Sequence, residues 1–174
     1  MLKILDKNKV PLKGLRVYKD YCIEGVLELD DRTLSFSAPY RNIRGYVFNE
    51  GYIETKEDRY VIKESTDGMA KVTAKLDLET LEGSAFRAFK SSEQPIRAAL
   101  QLAFAGSGWT IGECSITRKR TLSMTNVSAL EVLKQALKTY RAEIKVHSRT
   151  RVIDIYEAVG EDRGVYFSSQ LNLK

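Results

Sequence analysis

The stretch Tyr21–Ala38, YCIEGVLELDDRTLSFSA, decides the fold class of the first half of the chain. Residues 22–29 alternate along the chain, so that Ile, Gly, Leu and Leu at the odd positions share one side. Asp30-Asp31 then turns the chain, and residues 33–38 alternate hydroxyl with apolar side chains. A period of two on both arms predicts a β-hairpin with one buried face, which Pro39 ends.

Short strands continue on both sides of this hairpin. An opening strand is predicted at residues 2–5, and three more at 51–56, 59–64 and 69–76. Glu57-Asp58 forms the turn between the first two of these three, and Thr66-Asp67-Gly68 the turn before the third. Five or six short strands at this spacing predict an antiparallel barrel-like or sandwich domain over residues 1–90.

The pattern changes after Lys90, where helical spacing replaces alternation. Ser91–Pro95 is interpreted as a helix start with a serine cap and proline in the first turn. Gly106 and Gly108 end this helix, since glycine tolerates left-handed backbone. Ser128–Glu131 has the spacing of a capping box and begins a second helix. The apolar positions at helical spacing are Ile96, Ala99, Leu100, Ala103 and Phe104 in the first helix, and Ala129, Val132, Leu133, Ala136, Leu137 and Tyr140 in the second.

Each predicted helix is followed by a predicted pair of strands. The first pair is 109–114 with 120–125, and the second is 143–146 with 151–156. Residues 91–158 therefore form a small inserted α/β domain with two helices, and the fold class of the whole chain is α+β. The segment 159–174 begins with a glycine-rich loop and ends in a strand-like run, and we expect it to return to the β domain.

Composition places the chain among ordinary globular proteins. It has 174 residues, 43% of them hydrophobic and 29% charged, with a net charge of +5. Cys22 and Cys114 are expected to be reduced and half-buried, although a disulfide between them stays open. No apolar run is long enough to span a bilayer and no signal peptide opens the chain, so we expect synthesis as a soluble cytoplasmic protein.

The residues required for common enzymatic sites are missing from the sequence. His147 is the only histidine, and it is predicted to be exposed at the tip of a hairpin turn. No cluster of metal-ligating residues, no Gly-x-Ser-x-Gly elbow and no phosphate-binding loop occurs. Adjacent carboxylates such as Asp30-Asp31 lie in turns, where solvated charge is the default. We therefore expect no enzyme activity, no cofactor and no metal.

Two clusters of side chains are candidates for binding. The first combines aromatic residues with arginine in an irregular segment, a mixture favoured at protein interfaces. Its members are Tyr40, Arg41, Arg44, Tyr46 and Phe48. The second gives an alternative function, a basic module that binds nucleic acid or another anionic polymer. Its members are Arg118, Lys119, Arg120, Arg149 and Arg151.

An ordered series of segments resembles the N-terminal region of siphophage tail-associated proteins, also described as phage minor structural or prophage endopeptidase tail proteins. The series consists of residues 51–53, 60–64, 76–83, 106–114, 119–121 and 160–167, and covers nearly the whole chain. No single segment is diagnostic, and the order carries the resemblance. It implies a baseplate-hub-like fold in which barrel-like domains assemble as a ring at the tail tip.

The resemblance also implies partners. The ring would be a homotrimer that links the tail tube and distal tail protein to the host-facing device, with the tape measure protein nearby. No membrane and no specific nucleic acid are implied, although genome DNA would pass through the ring. Synthesis in the host bacterial cytoplasm and a final place at the virion tail tip follow. Wall-degrading domains of such proteins lie further along the chain, so the resemblance supplies no catalytic residue here.

Overall fold

The computed structural model describes residues 1–26, 31–65 and 69–157. These residues form three sheets and four helices, and the fold class is α+β, as predicted. The strands are β1 Leu2–Leu5, β2 Pro11–Leu15, β3 Lys19–Val26, β4 Asp31–Pro39, β5 Tyr52–Glu54, β6 Arg59–Ser65, β7 Met69–Leu76, β8 Ala85–Pro95, β9 Thr110–Cys114, β10 Lys119–Ser128, β11 Glu143–His147 and β12 Val152–Tyr156. The helices are α1 Tyr40–Ile43, α2 Glu79–Glu82, α3 Ile96–Phe104 and α4 Ala129–Tyr140.

The first seven strands form one antiparallel sheet in the order β2-β1-β5-β6-β7-β4-β3. The predicted hairpin is confirmed, since β3 pairs with β4 from Lys19↔Ser37 to Val26↔Asp31. Leu34, Phe36 and Ala38 of β4 are buried as expected. Ile23 of β3 is 40% exposed, however, because β3 is the edge strand and the core ends beneath β4.

The sheet is strongly curled but does not form a closed barrel, so the barrel expectation is wrong in that respect. Its two edge strands, β2 and β3, are consecutive in sequence, and only residues 16–18 join them. Four Cα–Cα steps span at most about 15 Å, whereas seven flat strands would hold the edges roughly 29 Å apart. The edges are therefore brought close by the chain itself, yet no ladder between β2 and β3 joins them in the described residues.

A continuous hydrophobic core connects this sheet to the second half of the chain. Leu78, Leu81 and Trp109 are buried in the same cluster as the inner face of the sheet and the apolar faces of α3 and α4. The predicted apolar positions of both helices are buried. Gly106 and Gly108 both have φ near +80°, which confirms the left-handed helix stop.

The predicted start of α4 is confirmed and that of α3 is wrong. Ser128 and Glu131 form the reciprocal capping box, with the Glu131 amide donating to Ser128 Oγ at 3.2 Å. Residues 91–95 are instead the last part of strand β8, and α3 begins after Pro95, whose ψ of 152° is extended. The residue before a proline avoids the helical region, so the helix begins later than the serines suggest.

The strand pairs of the second half also differ from the prediction. β9 does not pair with β10; it lies parallel to β12 in a sheet of order β11-β12-β9. β10 pairs instead with β8, over registers from Lys119↔Pro95 to Ser128↔Ala85. The reason is that β8 includes residues 91–95, which were interpreted as a helix start, and is therefore long enough to pair along the whole of β10. The β11–β12 hairpin is confirmed.

The cysteines, the helices and the predicted turns can also be compared with the expectations from the sequence. Both cysteines are free; Cys114 is half-buried as expected, whereas Cys22 lies exposed on the edge strand. None of the helices in the described ranges has the length and apolar character needed to cross a bilayer. The turns at Asp30 and 66–68 and the segment 159–174 lie outside the described residues. The division into domains at 90/91 and 158/159 stays a prediction.

Candidate assembly surface

The two halves of the chain are joined at a buried polar contact centred on Asp58. The turn Thr55–Asp58 directs this carboxylate inward, because Thr55 Oγ1 accepts the Asp58 amide at 2.9 Å. Asp58 is only 3% exposed, and its carboxylate accepts from Arg32 Nη1 at 2.7 Å and from the Ser148 amide at 3.1 Å. A buried carboxylate requires such partners. The contact therefore binds β4, the β5–β6 turn and the β11–β12 turn together.

Neighbouring hydrogen bonds extend this junction. Ser148 Oγ accepts the Arg59 amide at 2.8 Å, and Arg32 Nη2 donates to the Val146 carbonyl at 2.6 Å. Arg149 Nη1 reaches the Lys56 carbonyl at 3.0 Å. All of these bonds join residues about ninety positions apart or more. The junction therefore fixes how the second half of the chain lies against the first.

The junction does not have the geometry of a hydrolytic site. Ser148 Oγ faces Asp58 and Arg59, whereas its neighbour His147 is hydrogen-bonded to Asp154 at 3.0 Å on the paired strand. His147 is therefore partly buried on β11 and not a free turn residue as expected. Among residues 1–26, 31–65 and 69–157, no group of three His, Cys, Asp or Glu could hold a metal ion.

A second polar group lies on the other face of the large sheet, where Leu5, Tyr52 and Val61 form a small apolar cluster. The Tyr52 hydroxyl donates to Glu79 at 2.8 Å. Burial raises the pKa of Tyr52, and this hydrogen bond raises it further, so the phenol stays protonated as a donor. Burial lowers the pKa of Lys63, but Glu50 and Glu79 raise it more, so the ammonium is retained. These groups hold α2 to the sheet.

The aromatic and arginine segment predicted as an interface is on the surface. Tyr40 is 41% exposed on α1, and the Arg44 guanidinium lies over its ring at 5.8 Å. Phe48 is 42% exposed and Arg41 is exposed. Tyr46 is half-buried beneath Lys13 Nζ, which lies 4.4 Å from its ring centre. The segment is therefore available for contact at four of its five positions, and Tyr46 attaches it to strand β2.

An apolar surface that the sequence analysis missed lies beside this segment. Large hydrophobic side chains are exposed along the two sheet edges and their connection. The members of this edge surface are Val10, Leu12, Val17, Tyr21 and Ile23. Ile23 had been assigned to a buried face, and only the place of β3 at the edge shows otherwise. The contact of Lys13 with Tyr46 places the aromatic segment beside strand β2, which carries Leu12 of the edge surface.

The basic residues of the alternative hypothesis are not brought together. Arg118 Nε donates to the Tyr140 carbonyl at 2.7 Å, and its Nη1 pairs with Glu157 at 2.7 Å, so it closes the C-terminus of α4. Arg149 belongs to the junction, and Arg151 packs beside Gly108. Lys119 and Arg120 are exposed at the start of β10. Three of the five basic residues are thus engaged in the fold.

Comparison with known proteins gives two family matches that follow one another along the chain. Residues 2–78 match the prophage endopeptidase tail N-terminal domain, and residues 71–155 match the prophage endopeptidase tail domain. No curated protein sequence matches the chain.

Solved structures share the fold at low sequence identity. The prophage tail protein gp18 from Listeria monocytogenes EGD-e has a TM-score of 0.73 at 14% identity, over 88% of this chain and 49% of its own. The tail protein from Neisseria meningitidis MC58 has a TM-score of 0.64 at 8% identity, over 95% of this chain and 52% of its own. The chain thus spans about half the length of each of these structures.

Proposed function

We propose that this chain has its place at the tail tip. Residues 2–155 belong to the prophage endopeptidase tail family, which supports a structural role in a phage tail. At the tail tip the chain acts as part of a baseplate hub, a ring that links the tail tube and distal tail protein to the host-facing device. The word endopeptidase belongs to the family name, and both matched models describe tail domains. We assign this chain assembly and no catalytic step.

The observation that supports assembly is the edge surface. The outer backbone groups of β2 and β3 have no ladder partner among the described residues, and five large apolar side chains are exposed beside them. Natural proteins normally protect such edges, because an open strand pairs readily with another chain. A closed ring would cover the same edge in every subunit.

The aromatic segment supports the same proposal. Tyr40, Arg41, Arg44, Tyr46 and Phe48 combine the residue types that contribute most to protein interfaces. Two cation–π contacts order the segment before any partner binds, which reduces the entropy lost on association. In this proposal the partners are two further copies in a homotrimer, the distal tail protein and the tape measure protein, and synthesis takes place in the host cytoplasm.

Sedimentation velocity of the intact protein tests the proposal. We expect concentration-dependent association, and we expect Val17→Ser/Ile23→Ser and Tyr40→Ser/Phe48→Ser each to weaken it by tenfold or more, in the range of interface hot spots (~1.4 kcal/mol or more). Leu102→Ser is the matched control, since Leu102 is an exposed leucine on α3, away from both surfaces. An intact protein that stays monomeric at high concentration and is absent from purified tails would rule the proposal out.

A further inference from the structure

The strands β8 and β10 form a long two-stranded ribbon, here called the ribbon, with one face on the helices. Phe89 and Leu122 are buried on that face, and Met124 lies opposite Phe89 in the register. The intervening pairs, Lys90↔Ser123 and Ala88↔Thr125, are exposed on the other face. The outer face of the ribbon is therefore open along most of its length.

The exposed side chains of the ribbon are basic and rich in hydrogen-bond donors. The four cations on the two strands, Arg87, Lys90, Lys119 and Arg120, are all exposed, and none forms an ion pair with a carboxylate in the described parts of the chain. Lys90 lies on the face away from the helices, whereas Arg120 lies beside the end of α4. Glu93 is the single acidic residue on either strand. The exposed polar side chains between the cations are Ser92, Gln94, Thr121, Ser123, Thr125 and Asn126.

The ribbon is held rigidly at its basic end. The Tyr140 hydroxyl lies 2.6 Å from the Gln94 carbonyl, to which it donates, and 3.1 Å from the Arg120 carbonyl. Both strands are thereby tied to α4 at one point. Beside Arg120 a groove of about 350 Å³ is lined by Arg118, Thr139, Tyr140 and Arg141, and the exposed Arg141 adds a further cation there. The cations therefore project from a fixed backbone and not from a loop.

We infer that the ribbon binds the phosphate backbone of duplex DNA without reading its sequence. Contacts to DNA phosphates come mainly from Arg, Lys, Ser, Thr, Asn and Gln side chains, which are the types exposed here. A two-stranded β-ribbon also has the width that the DNA major groove admits. A protein partner is less consistent with this surface, because neither phenylalanine of the ribbon is exposed and interfaces favour exposed aromatic side chains.

This site differs from the basic module considered from the sequence. It keeps Lys119 and Arg120 but replaces the three engaged arginines by Arg87 and Lys90, which only the β8–β10 pairing brings alongside. It goes beyond the structural role proposed above and does not depend on ring formation. A ring that failed to form would leave the DNA contact of the single chain unchanged.

Fluorescence anisotropy with a labelled 20-base-pair duplex tests the site directly. Four neutralised phosphates predict a slope of log K against log salt near ~−3.6, or roughly a 100-fold loss of affinity between 50 and 200 mM salt. In Arg87→Gln/Lys90→Gln/Lys119→Gln/Arg120→Gln we expect affinity to fall at least tenfold and the slope to flatten towards zero. Arg87→Lys/Arg120→Lys should retain the slope, since the charge is kept.

The matched control removes the same charge elsewhere, in Lys7→Gln/Lys19→Gln/Lys71→Gln/Lys145→Gln, where all four lysines are exposed. It should keep at least half of the slope. Equal losses in the two quadruple variants, with both melting like the parent protein, would overturn the site. Stronger displacement by poly-glutamate than by unlabelled duplex would also overturn it, in favour of an acidic protein partner. If the parent protein shows no salt-dependent binding to the duplex, the proposed DNA site is also overturned.

Discussion

At the residue scale, the buried side chain of Asp58 joins the two halves of the chain. Its carboxylate is nearly inaccessible to water, and its partners come from β4 and from the β11–β12 turn. The carboxylate pairs at 2.7 Å with Arg32, a partly buried guanidinium, which compensates for the solvation that the carboxylate loses on burial. In the sequence, Asp58 and Glu57 form one predicted tight turn, and nothing in that pattern indicates that Asp58 is buried while Glu57 is exposed.

We expect Asp58→Ala to destabilise the protein by about 1–3 kcal/mol, because it leaves the buried Ser148 amide without its acceptor and removes one partner of the Arg32 guanidinium. Urea unfolding followed by circular dichroism measures this free energy. Glu57→Ala is the control, since that exposed neighbour should change the free energy of unfolding by no more than ~0.5 kcal/mol. Equal, small changes in the two variants would show that the junction contact contributes little.

At the scale of elements, the start of helix α4 was predictable because its signal is local. Ser128 and Glu131 exchange hydrogen bonds across three residues, and this exchange needs no distant partner, although the next amide, that of Ala129, donates to the Ser84 carbonyl at 2.8 Å. The start of α3 was not predictable, because Ser91–Pro95 resembles a helix cap while their backbone is committed to a ladder with β10. Only the partner strand decides between the two.

The capping box gives α4 a pH-dependent contribution to stability. Hydrogen bonds from Ser128 hold the pKa of Glu131 below its ordinary value near 4.5. A lowered folded-state pKa means that this stabilisation is present above the ordinary pKa and is lost as the pH falls through the lowered one. We therefore expect the parent protein to be more stable than Glu131→Gln at pH 7 and the two to converge at strongly acidic pH.

Thermal unfolding of the two proteins at both pH values checks this convergence. Ser128→Ala provides the comparison, since it removes the hydroxyl that donates to Glu131 but keeps the backbone amide of residue 128, which donates to the same carboxylate at 2.7 Å, so only part of the pH-dependent component should be lost. A stability difference between parent and Glu131→Gln that is identical at neutral and acidic pH would contradict the assignment.

At the scale of the whole molecule, the two halves share one core and one junction. The hydrophobic cluster runs from the inner face of the large sheet through Leu78 and Leu81 to α4. Trp109 Nε1 also donates to Thr80 Oγ1 at 2.8 Å, which ties the start of β9 to α2. Two family domains therefore meet in a single packed body, which suits a component that must keep its shape within a tail.

We expect the described body to unfold in one cooperative transition. Trp109 is the only tryptophan and reports on the second half, whereas far-ultraviolet circular dichroism reports on the strands and helices of both halves. Coincident urea midpoints from the two probes are the expected result, because breaking either half exposes the shared core. Two separated transitions would show that the halves are stable independently of each other.

The sequence by itself determined the features whose cause is local. The 21–38 hairpin, the apolar faces of both helices, the glycine stop and the capping box all follow from spacing along the chain. The ordered segments also sufficed to indicate the family. Only the tertiary structure decided which strands pair, that β3 is an edge with Ile23 exposed, and that the curled sheet stays open. It alone placed Asp58 against Ser148 and Lys90 beside β10, because such contacts join residues far apart in sequence, and no local pattern records which partner the chain will meet.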